Sequence, residues 1–123
     1  MNVKEFSEAV GVNAHTIRYY DKLGLLGTVR RRPNGHRVFS RKDVDWIRFI
    51  QRLKDTGMPV AQMLVYARLR AEGDATLAER RALLQAHHAA LAERIARQQE
   101  HQANLADKIA WYDGEISRAR ALD

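Results

Sequence analysis

The spacing of apolar residues changes several times along this chain, and each change marks an element. Val3, Phe6, Ala9 and Val10 share one helical stripe, with Asn2 placed to cap it and Glu5 three residues on to return the bond; Gly11 breaks the run. A second helix opens at Asn13, whose side chain can accept from first-turn amides, and stops at Gly24, a natural left-handed terminator. Within it Ile17, Tyr20 and Leu23 recur at three-residue steps toward a core, while His15, Thr16, Arg18, Tyr19 and Lys22 fall on the other sides. That outer face is basic, aromatic and hydroxyl-bearing. Arginine presents a planar fork to a guanine edge or a phosphate, and hydroxyls reach phosphate oxygens without charge. Two short helices around a Gly-containing turn are the pattern of a helix-turn-helix, the second helix suited to a DNA major groove.

Residues 27–39 change to extended-favouring positions around Pro33-Asn34-Gly35, and Asn-Gly is a strong hairpin signal because both residues accept positive φ. The expected two-stranded ribbon is cationic through Arg30, Arg31, Arg32, His36 and Arg37, with Val29, Val38 and Phe39 as its anchors. Two readings stay open for these arginines: a solvated, aggregation-resistant edge, or a wing lying on phosphates. Ser40 and Asp43 then open a third helix carrying Val44, Trp46, Ile47, Phe49, Ile50 and Leu53 and ending at Gly57. Pro59 is placed as the first residue of a fourth, with Val60, Met63, Leu64 and Ala67. Trp46, Phe49 and Met63 read as core, since their spacing needs no function to explain it.

Beyond Gly73, Thr76-Leu77-Ala78-Glu79 reads as a capping box opening a helix over residues 76–118. Its apolar residues follow a heptad frame, Leu77, Leu84, Leu91, Leu105 and Tyr112 at one position and Ile95, Ile109 and Ile116 at the other. At the standard rise this helix is roughly 65 Å long, too long for a domain of some seventy residues to cover. A second copy of the chain is the economical partner. Arg81, His88, Gln98 and Gln102 also lie on the frame, where polar residues fix register or partner choice.

Composition narrows the function. At 123 residues, 46% hydrophobic and 29% charged, the chain fits one small domain plus an extra element. Charge is unevenly placed: residues 1–72 carry 14 Lys plus Arg against 7 Asp plus Glu, a balance of +7, and residues 73–123 carry 7 against 8, a balance of −1. The first part attracts a polyanion. No charged-then-apolar leader or long apolar run is present, so a cytoplasmic protein without membrane attachment is expected. The absence of cysteine removes disulfides and thiolate metal sites. His87 and His88 point about 100° apart on a helix and His101 lies nearly four turns on, a poor single-chain metal site, so no metal or other cofactor is expected. No nucleophile elbow, Gly-rich phosphate loop or His-Glu-x-x-His motif supports an enzyme.

The runs T-I-R-Y-Y-D-K-L-G-L-L, R-P-N-G-H-R-V-F-S and D-T-G-M-P-V-A-Q-M resemble the DNA-binding domain of MerR-type transcriptional regulators, over residues 1 to about 70. The resemblance implies winged-helix dimers in which Arg18, Tyr19 and Tyr20 match recognition-helix residues, Arg37 a wing arginine, and residues 40–70 a second, helical wing. It also implies an antiparallel helix pair as the dimer interface, an orientation the heptads alone leave open. The implied mechanism bends and untwists an over-long promoter spacer for RNA polymerase.

The expectation is a mainly α protein: a winged helix-turn-helix DNA-binding domain with a small β-hairpin wing over residues 1–72, then a long coiled-coil dimerisation helix over residues 73–123. It binds double-stranded DNA at a pseudo-palindromic promoter operator through His15, Thr16, Arg18, Tyr19, Tyr20, Lys22, Asn34, His36 and Arg37. It pairs as a homodimer through Leu77, Leu84, Leu91, Ile95, Leu105, Ile109, Tyr112 and Ile116. The alternative is an architectural DNA-binding dimer without promoter specificity or switching. The resemblance places metal sensing on cysteines and drug sensing on an appended domain, and the sequence carries neither. Three readings are left for a switch: a small organic effector of unknown identity, ranked first, at an apolar junction near Met63, Tyr66, Trp111 and Tyr112; a histidine-bound ion; or no effector at all.

Overall fold

The computed structural model describes residues 1–27 and 30–122. The Val29 anchor and the Arg30 side chain assigned to the wing lie outside the described residues. Among the described residues the elements run in the order α1 (Val3–Val10), α2 (Ala14–Leu23), β1 (Arg30–Arg31), β2 (Arg37–Val38), α3 (Arg41–Asp55), α4 (Val60–Ala71), a 3-10 turn (Asp74–Thr76) and α5 (Leu77–Leu122). The chain divides into two units, Met1–Gln85 and Ala86–Asp123.

In the first unit local chemistry sets each boundary. The Asn2 side chain accepts from the Glu5 amide at 2.8 Å while the Glu5 carboxylate accepts from the Asn2 amide at 3.2 Å, and Gly11 closes α1 at φ 70°. Asn13 Oδ1 accepts from the Thr16 amide at 2.8 Å, and Gly24 ends α2 at φ 89°. At the start of α3 the Asp43 carboxylate takes both the amide and the hydroxyl of Ser40, at 2.8 and 3.1 Å. Pro59 is the cap of α4 rather than its first residue, a one-residue difference from the sequence pattern.

α1 packs on α2 and α3, and α3 on α4. Phe6, Ile17, Leu25, Ile47, Ile50 and Met63 are fully enclosed, each contributing on the order of 1.5–3 kcal/mol by leaving water. Leu83 and Leu84, at the start of α5, pack against this core from within the same unit. Polar ties fix the packing: Trp46 Nε1 donates to the Leu25 carbonyl at 2.6 Å, and Arg48 reaches the Ala9 carbonyl at the end of α1 at 3.2 Å. Trp46, Phe49 and Tyr66 form an aromatic cluster, with the Arg70 guanidinium 4.2 Å from the Trp46 ring centre.

Thr76 does not form a capping box: its hydroxyl donates to the Leu69 and Gly73 carbonyls and accepts from Arg80 Nε at 3.1 Å, tying the end of α4 to the 3-10 turn. Asn34 does not adopt positive φ; only Gly35 does in this turn, at 84°. The turn runs instead from the Arg32 carbonyl to the Gly35 amide at 2.8 Å, with Pro33 presetting its first corner and Asn34 Oδ1 accepting from the His36 amide at 3.0 Å. Met63 is enclosed in the core and offers no surface to a ligand.

The second unit is the later part of α5 alone. Its helix continues through Gly114 to Leu122, four residues past the end read from the sequence, and none of its described residues is buried. Ile95, Leu105, Ile109, Tyr112 and Ile116 are all about half exposed or more.

Candidate nucleic-acid interface

α2 presents its polar side outward because Ile17 and Tyr20 are held in the core below it. His15, Arg18, Tyr19 and Lys22 are exposed and Thr16 is half-buried. Tyr20 is different. It is 4% exposed, and its hydroxyl is buried without a partner among the described residues, so its ring serves the core and its oxygen does not reach the surface in this structure. The reading of Tyr20 by three-residue periodicity is the one the structure follows.

The wing is a two-pair antiparallel ladder, Arg30 opposite Val38 and Arg31 opposite Arg37. So short a ribbon needs outside support. At its base Phe39 stacks on Phe6, with ring centres 4.2 Å apart and planes 5° from parallel. Met1 brackets the same residue, its carbonyl accepting from the Phe39 amide at 2.7 Å and its ammonium donating to the Phe39 carbonyl at 2.8 Å. Higher up, the Arg37 guanidinium pairs with the Asp21 carboxylate of α2. Asn34 and His36 stand exposed at the tip, and Arg31 donates to the Gly35 carbonyl at 3.1 Å.

These supports draw α1, α2 and the wing around one cleft of about 490 Å³, lined by Asn2, Val3, Lys4, Arg18, Arg31, Gly35, His36 and Arg37. Four of its lining side chains are Lys or Arg and none is acidic, so its chemistry suits an extended polyanion rather than a neutral ligand. Of the residues singled out from sequence, Arg18, His36 and Arg37 meet there. His15, Thr16, Tyr19, Lys22 and Asn34 do not line it, although all but the half-buried Thr16 are exposed. Arg31, read from sequence only as one of the cationic wing residues, lines it too, and Lys4 was missed as a site residue. The signal for Lys4 was its place off the apolar stripe of α1, but only the packing of α1 beside the wing gives that place a meaning.

Comparison with known proteins bears on the same segments. The family model described as MerR HTH family regulatory protein matches residues 1–67, and that described as MerR, DNA binding matches residues 44–108. The chain belongs to the MerR family. Among solved structures it is similar to a MerR-family transcriptional regulator from Listeria monocytogenes, at 37% identity and a TM-score of 0.86 over 98% of this chain and 91% of that one. It is also similar to HiNmlR, a MerR family regulator lacking the sensor domain and solved bound to promoter DNA, at 34% identity and a TM-score of 0.77 over 91% and 89% of the two chains. The HTH-type transcriptional regulator AdhR of Bacillus subtilis is 33% identical over 84 residues, 68% of this chain. The chain spans about three fifths of the length of the curated relatives it matches first. Membership of this MerR family makes the chain one of a family of regulators, not of enzymes.

Among the described residues no three His, Cys, Asp or Glu side chains gather as metal ligands, and no helix is long and apolar enough to cross a membrane.

Proposed function

We propose that this chain is a sequence-specific DNA-binding regulator of transcription that acts in the cytoplasm as a homodimer on a pseudo-palindromic promoter operator. The observation that carries the reading is the cationic cleft where α2, the wing and α1 bring Arg18, Arg31, Arg37 and Lys4 together. In this reading α2 enters the major groove with Arg18 and Tyr19 toward base edges. His15, Thr16 and Lys22 contact backbone beside it, as do Asn34, His36, Arg37, Arg31 and Lys4 from the wing and α1. Tyr20 acts from beneath by holding the helix. The solved relative HiNmlR, bound to promoter DNA, supports the same mode of use.

The second half of the proposal is the pairing of two copies along Leu77, Leu84, Leu91, Ile95, Leu105, Ile109, Tyr112 and Ile116, which sets two recognition helices on one duplex. Each seam side chain is worth on the order of 1.5–3 kcal/mol when covered; Leu84 already packs in part on the core of the first unit, whereas Ile95, Leu105, Ile109, Tyr112 and Ile116 are left wet in a single chain. With RNA polymerase as the downstream partner, the dimer bends and untwists the promoter spacer; such bending costs about 1–6 kcal/mol, within reach of contacts from two wings.

Selection and sequencing of DNA fragments bound by the purified protein tests the reading. It expects one recurrent pseudo-palindrome bound at least about a thousandfold more tightly than random DNA. Equal affinity for all sequences would establish the architectural alternative instead.

A further inference from the structure

One carboxylate stands where the proposed DNA interface has least use for it. Across residues 9–42 there are eight Lys and Arg and a single acid, Asp21. It lies on α2 one turn after Arg18 and one residue before Lys22, so simple charge matching to DNA argues against it. The structure gives it a specific partner. Asp21 pairs with Arg37, the β2 residue directly opposite Arg31, and both members are largely withdrawn from water, with side-chain exposures of 11% for Asp21 and 26% for Arg37. Arg37 also lines the cationic cleft, while Asp21, which holds it, is not among the lining residues.

Resting on the DNA-binding reading above, we propose that Asp21 is a positioning residue that acts through Arg37 as an internal stand-in for a backbone phosphate. A carboxylate offers a guanidinium the same two-oxygen, negatively charged face that a phosphate does. In the DNA-free protein Asp21 holds the wing to the recognition helix, which the two-pair ladder cannot do unaided. It also cancels one cation against indiscriminate attraction to DNA. On the operator Arg37 keeps the carboxylate and points its remaining N–H groups, of five in all, at a phosphate. Specific binding gains a wing already in place, and random DNA finds one free charge fewer.

The test uses the full chain, fluorescence anisotropy over a salt series, and two labelled duplexes of equal length, the selected operator and a random sequence. Asp21→Asn is expected to bind random DNA more tightly with a salt dependence steeper by about one ion. Its operator-to-random ratio falls by about tenfold, the scale of one lost charged contact. Asp21→Glu restores both values toward wild type. Arg37→Gln leaves the Asp21 carboxylate without its partner and weakens both duplexes, and Asp21→Asn with Arg37→Gln recovers part of that loss. A salt slope and ratio left at wild-type values in Asp21→Asn, or fully additive effects in the pair of substitutions, would overturn the proposal. Should wild type fail to distinguish operator from random DNA, the proposed function fails; the random-DNA salt slope and a double-mutant cycle in thermal unfolding still decide whether Asp21 acts through Arg37.

Discussion

The two units of this chain solve the hydrophobic problem in opposite ways. In Met1–Gln85 fourteen of the described apolar residues, from Phe6 to Met63, are buried by one another, and the surface left over is basic. In Ala86–Asp123 the apolar residues keep a regular frame but bury nothing among the described residues. The first is a domain with its own core. The second has none, and its apolar stripe is the surface proposed above to be covered by a second copy of the chain.

The sharpest way to break that contrast is to spoil the frame. Replacing Leu91 and Ile95 together with Lys removes four apolar side chains from a paired seam, a loss on the order of 6–12 kcal/mol before any charge is buried. Dimerisation and tight operator binding should vanish in sedimentation and anisotropy, while the near-ultraviolet signal of the Trp46 cluster persists. Phe6→Ala works on the other unit. It should cost about 3–5 kcal/mol in denaturant unfolding and collapse the wing, since Phe6 carries the stack with Phe39. Unfolding that depended no more on Phe6 than on Ile109 would erase the distinction between the units.

What could be read from sequence divides along a related line. Helix caps at Asn2 and Asn13 and the stops at Gly11 and Gly24 were legible because capping is decided within a few residues. The core positions of α3 were legible because one face of a helix repeats. The family was legible from three short motifs. The turn at Pro33-Asn34-Gly35 was misread because proline, by fixing the first corner, displaced the two-residue turn that Asn-Gly favours. Thr76 was misread because its hydroxyl is claimed by Leu69, seven residues back. Lys4 and Asp21 were overlooked because their roles come from residues brought close only by the fold, the wing beside α1 and Arg37 across from α2.

Two smaller effects refine the picture inside the first unit. Arg18→Ala should cost about 1–3 kcal/mol on the operator and relax preference at one base position, whereas Lys4→Ala should weaken every sequence alike and flatten the salt dependence by about one ion. Competition binding against single-base operator variants separates these outcomes, and identical profiles for both variants would remove the division between base and phosphate contacts. Asn13→Ala, which deletes the cap at Thr16, should lower stability by about 1 kcal/mol in urea unfolding and leave the seam untouched. A dimer weakened as much as the fold would show that the units are not separable.

Sedimentation equilibrium of the full chain decides whether α5 pairs two copies. The wild type should sediment at twice the 14.1 kDa chain mass at micromolar concentration, and the variant carrying Leu91→Lys and Ile95→Lys at the single-chain mass. A wild type at 14.1 kDa that still binds its operator tightly, or a doubly substituted variant that still sediments at twice that mass, would contradict that pairing.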